Sequence, residues 1–187
     1  MNETDQLHHA RQGDERAWAN IIQQRQDAVF RLAYLLVGDV DEAEDVAQET
    51  FIRAFYALHR FDATRPLRPW LLQIAKNLAY NRRRSVRRYL AALGRWWQAA
   101  SVPEGVPVFA VLQEQEAQEL WQAVQQLQRN DQEVIYLRYF LDLSVADTAV
   151  TLGVAEGTVK SRLSRALARL RAIVVREFPG LHKEGLA

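Results

Sequence analysis

The sequence predicts an all-α chain of two small helical domains joined by a flexible linker, and three observations carry that prediction. Apolar residues recur three and four positions apart through most of the chain, the period of an amphipathic helix. Between Gly94 and Pro107, fourteen residues include Gly94, Ser101, Pro103, Gly105 and Pro107, too many breakers for one helix to run through. In the last third, a short capped helix, a glycine and a second helix follow in the pattern of a helix-turn-helix. Residues 1–94 and 112–187 are accordingly read as domains and 95–111 as the linker. The adjacent Trp96 and Trp97 are costly to expose and are expected to dock on one of the domains.

In the first domain, Trp18, Ile21, Ile22, Val29, Phe30, Ala33 and Val37 form one helical stripe, and Gly38 follows where a left-handed terminating residue belongs. The next helix is expected to open at Asp41, with Glu44 three residues on as the partner in a capping box. It carries Ala43, Val46, Ala47, Thr50, Ala54 and Leu58 on one face. Its acids, Asp39, Asp41, Glu42, Glu44, Asp45 and Glu49, gather toward the N-terminus, where the helix dipole favours them.

A loop from Phe61 to Arg68, broken by Pro66 and Pro69, leads into a third long helix that starts between Leu67 and Trp70. Stepping 100° per residue puts Leu67, Leu71, Ile74, Ala75 and Leu78 in one core sector. About 80° round from it lie Trp70, Asn77, Asn81, Arg84 and Arg88, nearly in line along the axis. That row offers an aromatic plane for base stacking, amides that pair with base edges and cations for phosphates. Arg82, Arg83 and Arg87 stand beside it, so the face reads as a nucleic-acid surface rather than a solubilising one.

In the second domain, Leu112, Leu120, Val124 and Leu127 form one apolar stripe and Val134, Ile135, Leu137 and Leu141 another. Ser144 and Asp147 cap a short helix, Gly153 turns the chain, and a second helix begins near Glu156. Ala149, Gly153 and Val159 are spaced as the small residue, turn glycine and buried aliphatic of two helices crossing steeply. Val159, Leu163, Ala166, Leu167 and Leu170 are expected to be buried. Lys160, Ser161, Ser164 and Arg165 project away from them, with Thr158, Arg162 and Arg169 flanking, as in a recognition helix entering a major groove.

Composition narrows the function. Apolar residues make up 49% and charged residues 25%, the balance of a folded globular chain rather than a disordered one. With no cysteine there is no disulfide framework, thiolate metal site or cysteine nucleophile. His8, His9, His59 and His182 have no companion ligands at metal spacing, and no phosphate-binding glycine loop or nucleophile constellation is present, so neither a cofactor nor enzymatic activity is expected. The polar segment Met1 to Gly13 is not of signal-peptide type and no apolar run is long enough to span a bilayer, which together predict a cytoplasmic protein.

Net charge is +1, yet it runs −6 over residues 1–59, +9 over 60–97, −7 over 98–157 and +5 over 158–187. Each domain thus has an acidic front and a basic back, and basic stretches of this density are the footprint of phosphate binding. A stand-alone helix-turn-helix regulator explains residues 112–187 but leaves the acidic helix and the Asn77 to Arg88 row without a task. A helical adaptor that binds only protein explains neither basic segment.

With these residues in place, the chain resembles the extracytoplasmic-function sigma factors of the sigma-seventy class, which keep only regions 2 and 4. DVDEAEDVAQETFIRAF is similar to region 2.2, RPWLLQIAKNLAYNRRRS to regions 2.3 and 2.4, and LQRNDQEVIYLRYFLDLSVADTAVTLGVAEGTVKSRLSRA to region 4. The resemblance implies a subunit that directs core RNA polymerase to promoters. It implies that Glu44, Asp45, Gln48 and Glu49 bind the β′ clamp helices, and that the acidic front of region 4 faces the β-flap.

It further implies that the loop from Phe61 to Arg68 captures an unstacked minus-ten base, with Asn77 and Asn81 at base-contacting positions and Trp70, Arg84 and Arg88 along the same strand. Melting then needs no ATP, because the opened strand is trapped. Lys160, Ser161, Ser164 and Arg165 would read the minus-thirty-five duplex, with Arg162 and Arg169 on phosphates. An anti-sigma partner covering the polymerase-binding faces is also implied. The chain departs from the family pattern at Gln128, where proline is common, at Asn81, where many members carry Asp, and at Ser164, smaller than the residue in some members.

Overall fold

The computed structural model describes the backbone over residues 3–93 and 115–180, and side chains over 3–82 and 117–180. No strand occurs among the described residues, and the chain divides into two compact units, residues 1–106 and 107–187. The expected linker, 95–111, with Trp96 and Trp97, lies outside the described residues, as do Leu112 and the side chains of Arg84 and Arg88.

Among the described residues, the first unit holds four helices: α1 (Glu3–Arg11), α2 (Glu15–Val37), α3 (Val40–Ala57) and α4 (Leu67–Leu93), with a 3-10 turn at Leu58–Arg60. The short helix α1 went unread because its face is nearly all polar; only Leu7 and Ala10 are buried apolar residues. Asp14 starts α2 by accepting from the N–H groups of Arg16 and Ala17 at 2.9 and 3.2 Å. Gly38, at φ 83°, ends it in the left-handed conformation that a side chain would strain.

The start of α3 differs from expectation. Asp39, extended at φ −130° and ψ 138°, is the N-cap and accepts from the Glu42 N–H at 2.9 Å. Asp39–Glu42 and Asp41–Glu44 both satisfy the three-residue spacing of a capping box, and Gly38 releases the chain directly into the earlier register, so Asp41 falls inside the first turn.

Helix α2 packs against α1, α3 and α4, and α3 against α4. Ala33, Ala43, Ala54, Ala75 and Ala79 are fully buried, and their lack of side-chain bulk lets these helices approach closely. Ile21, Leu32, Val46, Leu71 and Leu72 fill the remaining core, each side chain stabilising the unit by about 1.5–3 kcal/mol on burial. Buried Thr50 satisfies its hydroxyl by donating to the Val46 carbonyl at 2.7 Å.

The second unit contains α5 (Gln115–Gln125), α6 (Arg129–Ile135), a π turn at Tyr136–Phe140, α7 (Val145–Leu152) and α8 (Glu156–Glu177). Helices α5, α6 and α7 all pack on α8. The core joins Val124, Leu127, Val134, Ile135, Leu137, Leu141, Leu143, Val159 and Ala166. Four residues expected inside are not fully there: Leu120 is 46% exposed and Leu167 38%, and Leu163 and Leu170 are half-buried. Leu167 lies about 80° round the helix from Val159, at the edge of the α8 stripe.

Ser144 caps α7 as expected, accepting from the Asp147 N–H at 2.9 Å while its hydroxyl donates to the Asp147 carboxylate at 2.8 Å. Gly153, at φ 69°, turns the chain, and the Val154 N–H closes the helix end on the Ala149 carbonyl at 3.0 Å. That turn fixes where α8 begins, and so which of its residues face outward.

Candidate nucleic-acid interface

On α8, Val159 and Ala166 are buried while Lys160, Ser161, Ser164 and Arg165 are exposed on the opposite side, with Thr158 and Arg162 half-buried between. Two hydrogen bonds hold this surface along the helix: the Ser161 hydroxyl donates to the Thr158 carbonyl and Arg165 Nε to the Ser161 carbonyl, each at 3.1 Å. The result is a convex ridge of two hydroxyls, an ammonium and guanidiniums, donors of the kind that pair with guanine and phosphate in a duplex groove.

Arg169, expected on phosphate, is half-exposed and has an intramolecular partner. Its guanidinium forms an ion pair with Asp131, whose side chain is only 6% exposed in the first turn of α6. The pair ties the middle of α8 to α6, making Arg169 a positioning residue for the ridge. Farther along, the Gln126 amide donates to Glu177 at 2.5 Å, and this bond holds the Glu177 carboxyl below its ordinary range.

In the first unit, Asn77 and Asn81 are exposed on α4, one turn apart, and Trp70 is half-buried at its start. Phe61 is not available to a base as expected: it is buried, stacked on Trp70 with ring centroids 4.5 Å apart. The ring therefore braces the loop from inside. What the loop exposes is Asp62, Thr64, Arg65 and Pro66. Asp62 organises them, accepting from the Thr64 N–H at 3.0 Å and the Thr64 hydroxyl at 2.7 Å. Those two bonds, with weaker help from the Arg65 and Arg11 guanidiniums, hold the Asp62 carboxyl below its ordinary range. Arg68 is half-buried in the first turn of α4.

On α3, Glu44, Asp45 and Gln48 are exposed and Glu49 half-buried, all on one side of the helix. Glu49 pairs with Arg53 at 2.7 Å along the helix, and Asp45 pairs with Arg82 of α4 at 2.5 Å. Asp45, Gln48 and Glu49 thereby line one shallow groove with Asn81 and Arg82. The sequence placed these residues in separate motifs; the packing of α3 on α4 makes them neighbours.

A second groove, of about 730 Å³, was missed by the sequence reading. It runs between α2 and α3, walled by Trp18, Ile22, Phe51, Ile52 and Phe55, with Gln48 at its rim. Ile52, Phe55 and Tyr56 are 52%, 47% and 73% exposed, and Trp18 and Phe55 rings lie 5.6 Å apart. An unpartnered apolar strip of this kind marks a protein-binding face. Its signal was present as a second helical stripe, Ile52, Phe55 and Tyr56, beside the core stripe on α3.

Among the described residues, no helix is long and apolar enough to cross a membrane, and no cluster of three or more acidic or histidine side chains is placed to hold a metal ion.

Comparison with known proteins matches residues 21–89 to the Sigma-70 region 2 model and residues 117–170 to the Sigma-70 region 4 model. The ECF RNA polymerase sigma factor SigW of Bacillus subtilis is 34% identical over 173 residues, covering 88% of this chain and 92% of the relative. SigL of Mycobacterium tuberculosis, also an ECF sigma factor, is 38% identical over 146 residues, 76% of this chain and 80% of the relative. Among solved structures, CnrH in complex with the cytosolic domain of CnrY is similar at a TM-score of 0.68 and 25% identity, covering 94% of this chain and 98% of that one. RpoE of Bartonella quintana, in complex with the anti-sigma factor NepR, is similar at 0.65 and 25% identity, covering 85% and 97%.

Proposed function

The chain belongs to the extracytoplasmic-function sigma factors of the sigma-70 family and directs core RNA polymerase to promoters; from that premise we propose how its two units divide the work. The second unit reads the minus-thirty-five element as duplex. The observation that carries this is the exposed ridge of Lys160, Ser161, Ser164 and Arg165, set opposite buried Val159 and Ala166 and aimed by the Gly153 turn. Arg162, at the flank, takes a phosphate.

The first unit engages the minus-ten strand once it is open. Its loop at residues 61–67 receives an unstacked base, and Trp70, Asn77 and Asn81 lie along α4 in the order that a strand leaving the loop would follow, with Arg84 and Arg88 farther along. Extruding a base costs a few kcal/mol, which loop contacts and phosphate neutralisation offset, so the factor traps the melted state without ATP.

Polymerase docks on α3 through Glu44, Asp45, Gln48 and Glu49, which face the β′ clamp helices, and the acidic front of the second unit faces the β-flap. The apolar groove beside Gln48 extends the protein-binding face of the first unit. An anti-sigma factor that covers this face competes with polymerase for it; the RpoE relative is solved with such a partner. We further assign the protein to the cytoplasm, where core polymerase works.

Run-off transcription tests the whole reading. Core polymerase supplemented with this protein should initiate at a subset of a genomic promoter library, and silence across the library would refute it.

A further inference from the structure

The loop at residues 61–67 is tied at both ends to α1, a helix that carries none of the family motifs quoted above and precedes the matched residues 21–89. At the loop's start, the Arg11 guanidinium bridges two carbonyls: Nε donates to Leu58 at 3.1 Å and Nη2 to Phe61. The Leu58 carbonyl also accepts the Phe61 N–H that closes the 3-10 turn, so Arg11 spans the turn's closing carbonyl and the one that begins the loop. At the loop's end, Glu3 Oε1 accepts the Leu67 N–H, the first donor of α4, at 3.1 Å. The other Glu3 oxygen pairs with Arg25 of α2, which fixes the carboxylate's direction.

Glu3 and Arg11 stand eight residues apart on one helix, a rise of about 12 Å. The two ends of the loop are therefore held at a set separation by a rigid spacer, in addition to the ring contact of Phe61 with Trp70. Inside that frame, Phe61 stacks on Trp70 and Asp62 binds Thr64, so the loop's ends and its turn are each fixed before any strand arrives. A loop that must receive a base extruded at a cost of a few kcal/mol gains by being ordered in advance, because ordering it at the moment of capture would add to that cost.

We propose that α1 is a positioning element for minus-ten recognition, with Arg11 and Glu3 as positioning residues that preorganise the base-capture loop. The proposal rests on the reading of residues 61–67 as that loop. It predicts that changes in α1, outside the strand's path, act on capture of one base and leave duplex binding and polymerase assembly in place.

The test uses holoenzyme assembled from core polymerase and the full chain carrying Arg11→Ala or Arg11→Lys. Lysine keeps the charge but, as a point donor, does not span both carbonyls. Two promoter templates are compared, one with 2-aminopurine at the captured minus-ten position and one abasic there. Open-complex yield is read on both templates, and fluorescence of the unstacked base on the first. On the base-bearing template Arg11→Ala should lower both signals about tenfold, with a smaller loss for Arg11→Lys, while on the abasic template variants and wild type converge. Equal behaviour of variant and wild type on both templates, or an equal loss on both, overturns the positioning role. A wild-type holoenzyme that opens both templates equally refutes the base-capture reading itself, a distinct failure.

Discussion

Replacing Arg169 by alanine removes the ion-pair partner of Asp131, a carboxylate whose side chain is 6% exposed while that of Arg169 is 50% exposed. Taking one partner from a buried pair costs about 3–5 kcal/mol, because the remaining charge stays desolvated. Two features lower that figure here. Asp131 lies in the first turn of α6, where the helix dipole stabilises an anion by about 0.3–1 kcal/mol or more. The departing side chain is half in water, so its loss lets solvent approach the carboxylate. A cost of about 2–4 kcal/mol follows. The reverse change, Asp131→Asn, leaves a cation that already reaches water and costs less, about 1–2 kcal/mol.

The ordering of these two losses is a direct consequence of the unequal burial, and it is measurable. Hydrogen exchange resolved by peptide should show faster opening of α6 and α8 in both variants, more in Arg169→Ala, with α2 to α4 unchanged. Salt dependence of promoter binding by holoenzyme separates this role from a phosphate contact. A phosphate-bound arginine contributes a slope of about 0.9 in log affinity against log salt. The positioning role predicts an unchanged slope. A slope reduced by that amount in Arg169→Ala, with exchange in α6 and α8 unaltered, refutes the reasoning.

Gln128 precedes α6 at φ −63° and ψ 149°, the φ of proline, and its N–H donates to no backbone carbonyl among the described residues, so Gln128→Pro should stabilise the second unit by about 0.4–1 kcal/mol in thermal unfolding. Asp62 has its pKa lowered chiefly by the Thr64 hydroxyl, so its contribution to loop order is present above the ordinary carboxylate range and is lost only as pH falls through the depressed folded value. The Thr64 amide resonance should therefore titrate below that range, and Thr64→Val should move the Asp62 midpoint up. Arg165→Ala should cost about 1–3 kcal/mol at one minus-thirty-five position, whereas a uniform loss over all sequences would make it a phosphate contact. Glu49→Arg reverses a charge on the exposed side of α3 and sets two cations at i and i+4 with Arg53, so binding to the β′ clamp helices should weaken, an outcome read by pull-down of holoenzyme.

The helices of both units were legible because their stripes follow a strict 3.6-residue period and because Gly38, Ser144 and Gly153 punctuate them. What escaped the sequence has specific causes. Helix α1 is held by Glu3 and Arg11, whose partners lie between 22 and 64 residues away, so no local pattern announces it. The α3 cap was ambiguous between two equivalent Asp-x-x-Glu registers. The π turn at Tyr136–Phe140 hides in the spacing of Val134, Leu137 and Leu141, which a plain helix satisfies equally well. At the site, the exposed ridge of α8 could be read from period alone, but Phe61 and Arg169 could not be placed. Aromatic and basic side chains suit a nucleic-acid surface and an intramolecular partner alike, and the partners Trp70 and Asp131 are distant in sequence.

The same partners change the meaning of the charge alternation. The −6 segment supplies α3 and most of the +9 segment supplies α4, and these helices pack together, with Asp45 on Arg82 across the contact. The −7 segment supplies α6 and the +5 segment most of α8, joined by Asp131 and Arg169. Each acidic segment therefore lies against the basic segment of its own unit and screens part of its field. A strand approaching the free protein meets cations already flanked by carboxylates, which lowers the gain from counterion release. Polymerase binding at Glu44, Asp45, Gln48 and Glu49 would withdraw those carboxylates from the balance and leave Arg82 to the DNA. On this argument the isolated chain binds promoter DNA weakly at physiological salt, and holoenzyme assembly strengthens binding beyond what polymerase contacts add. Tight sequence-specific binding by the isolated chain would show that the paired acids do not restrain it.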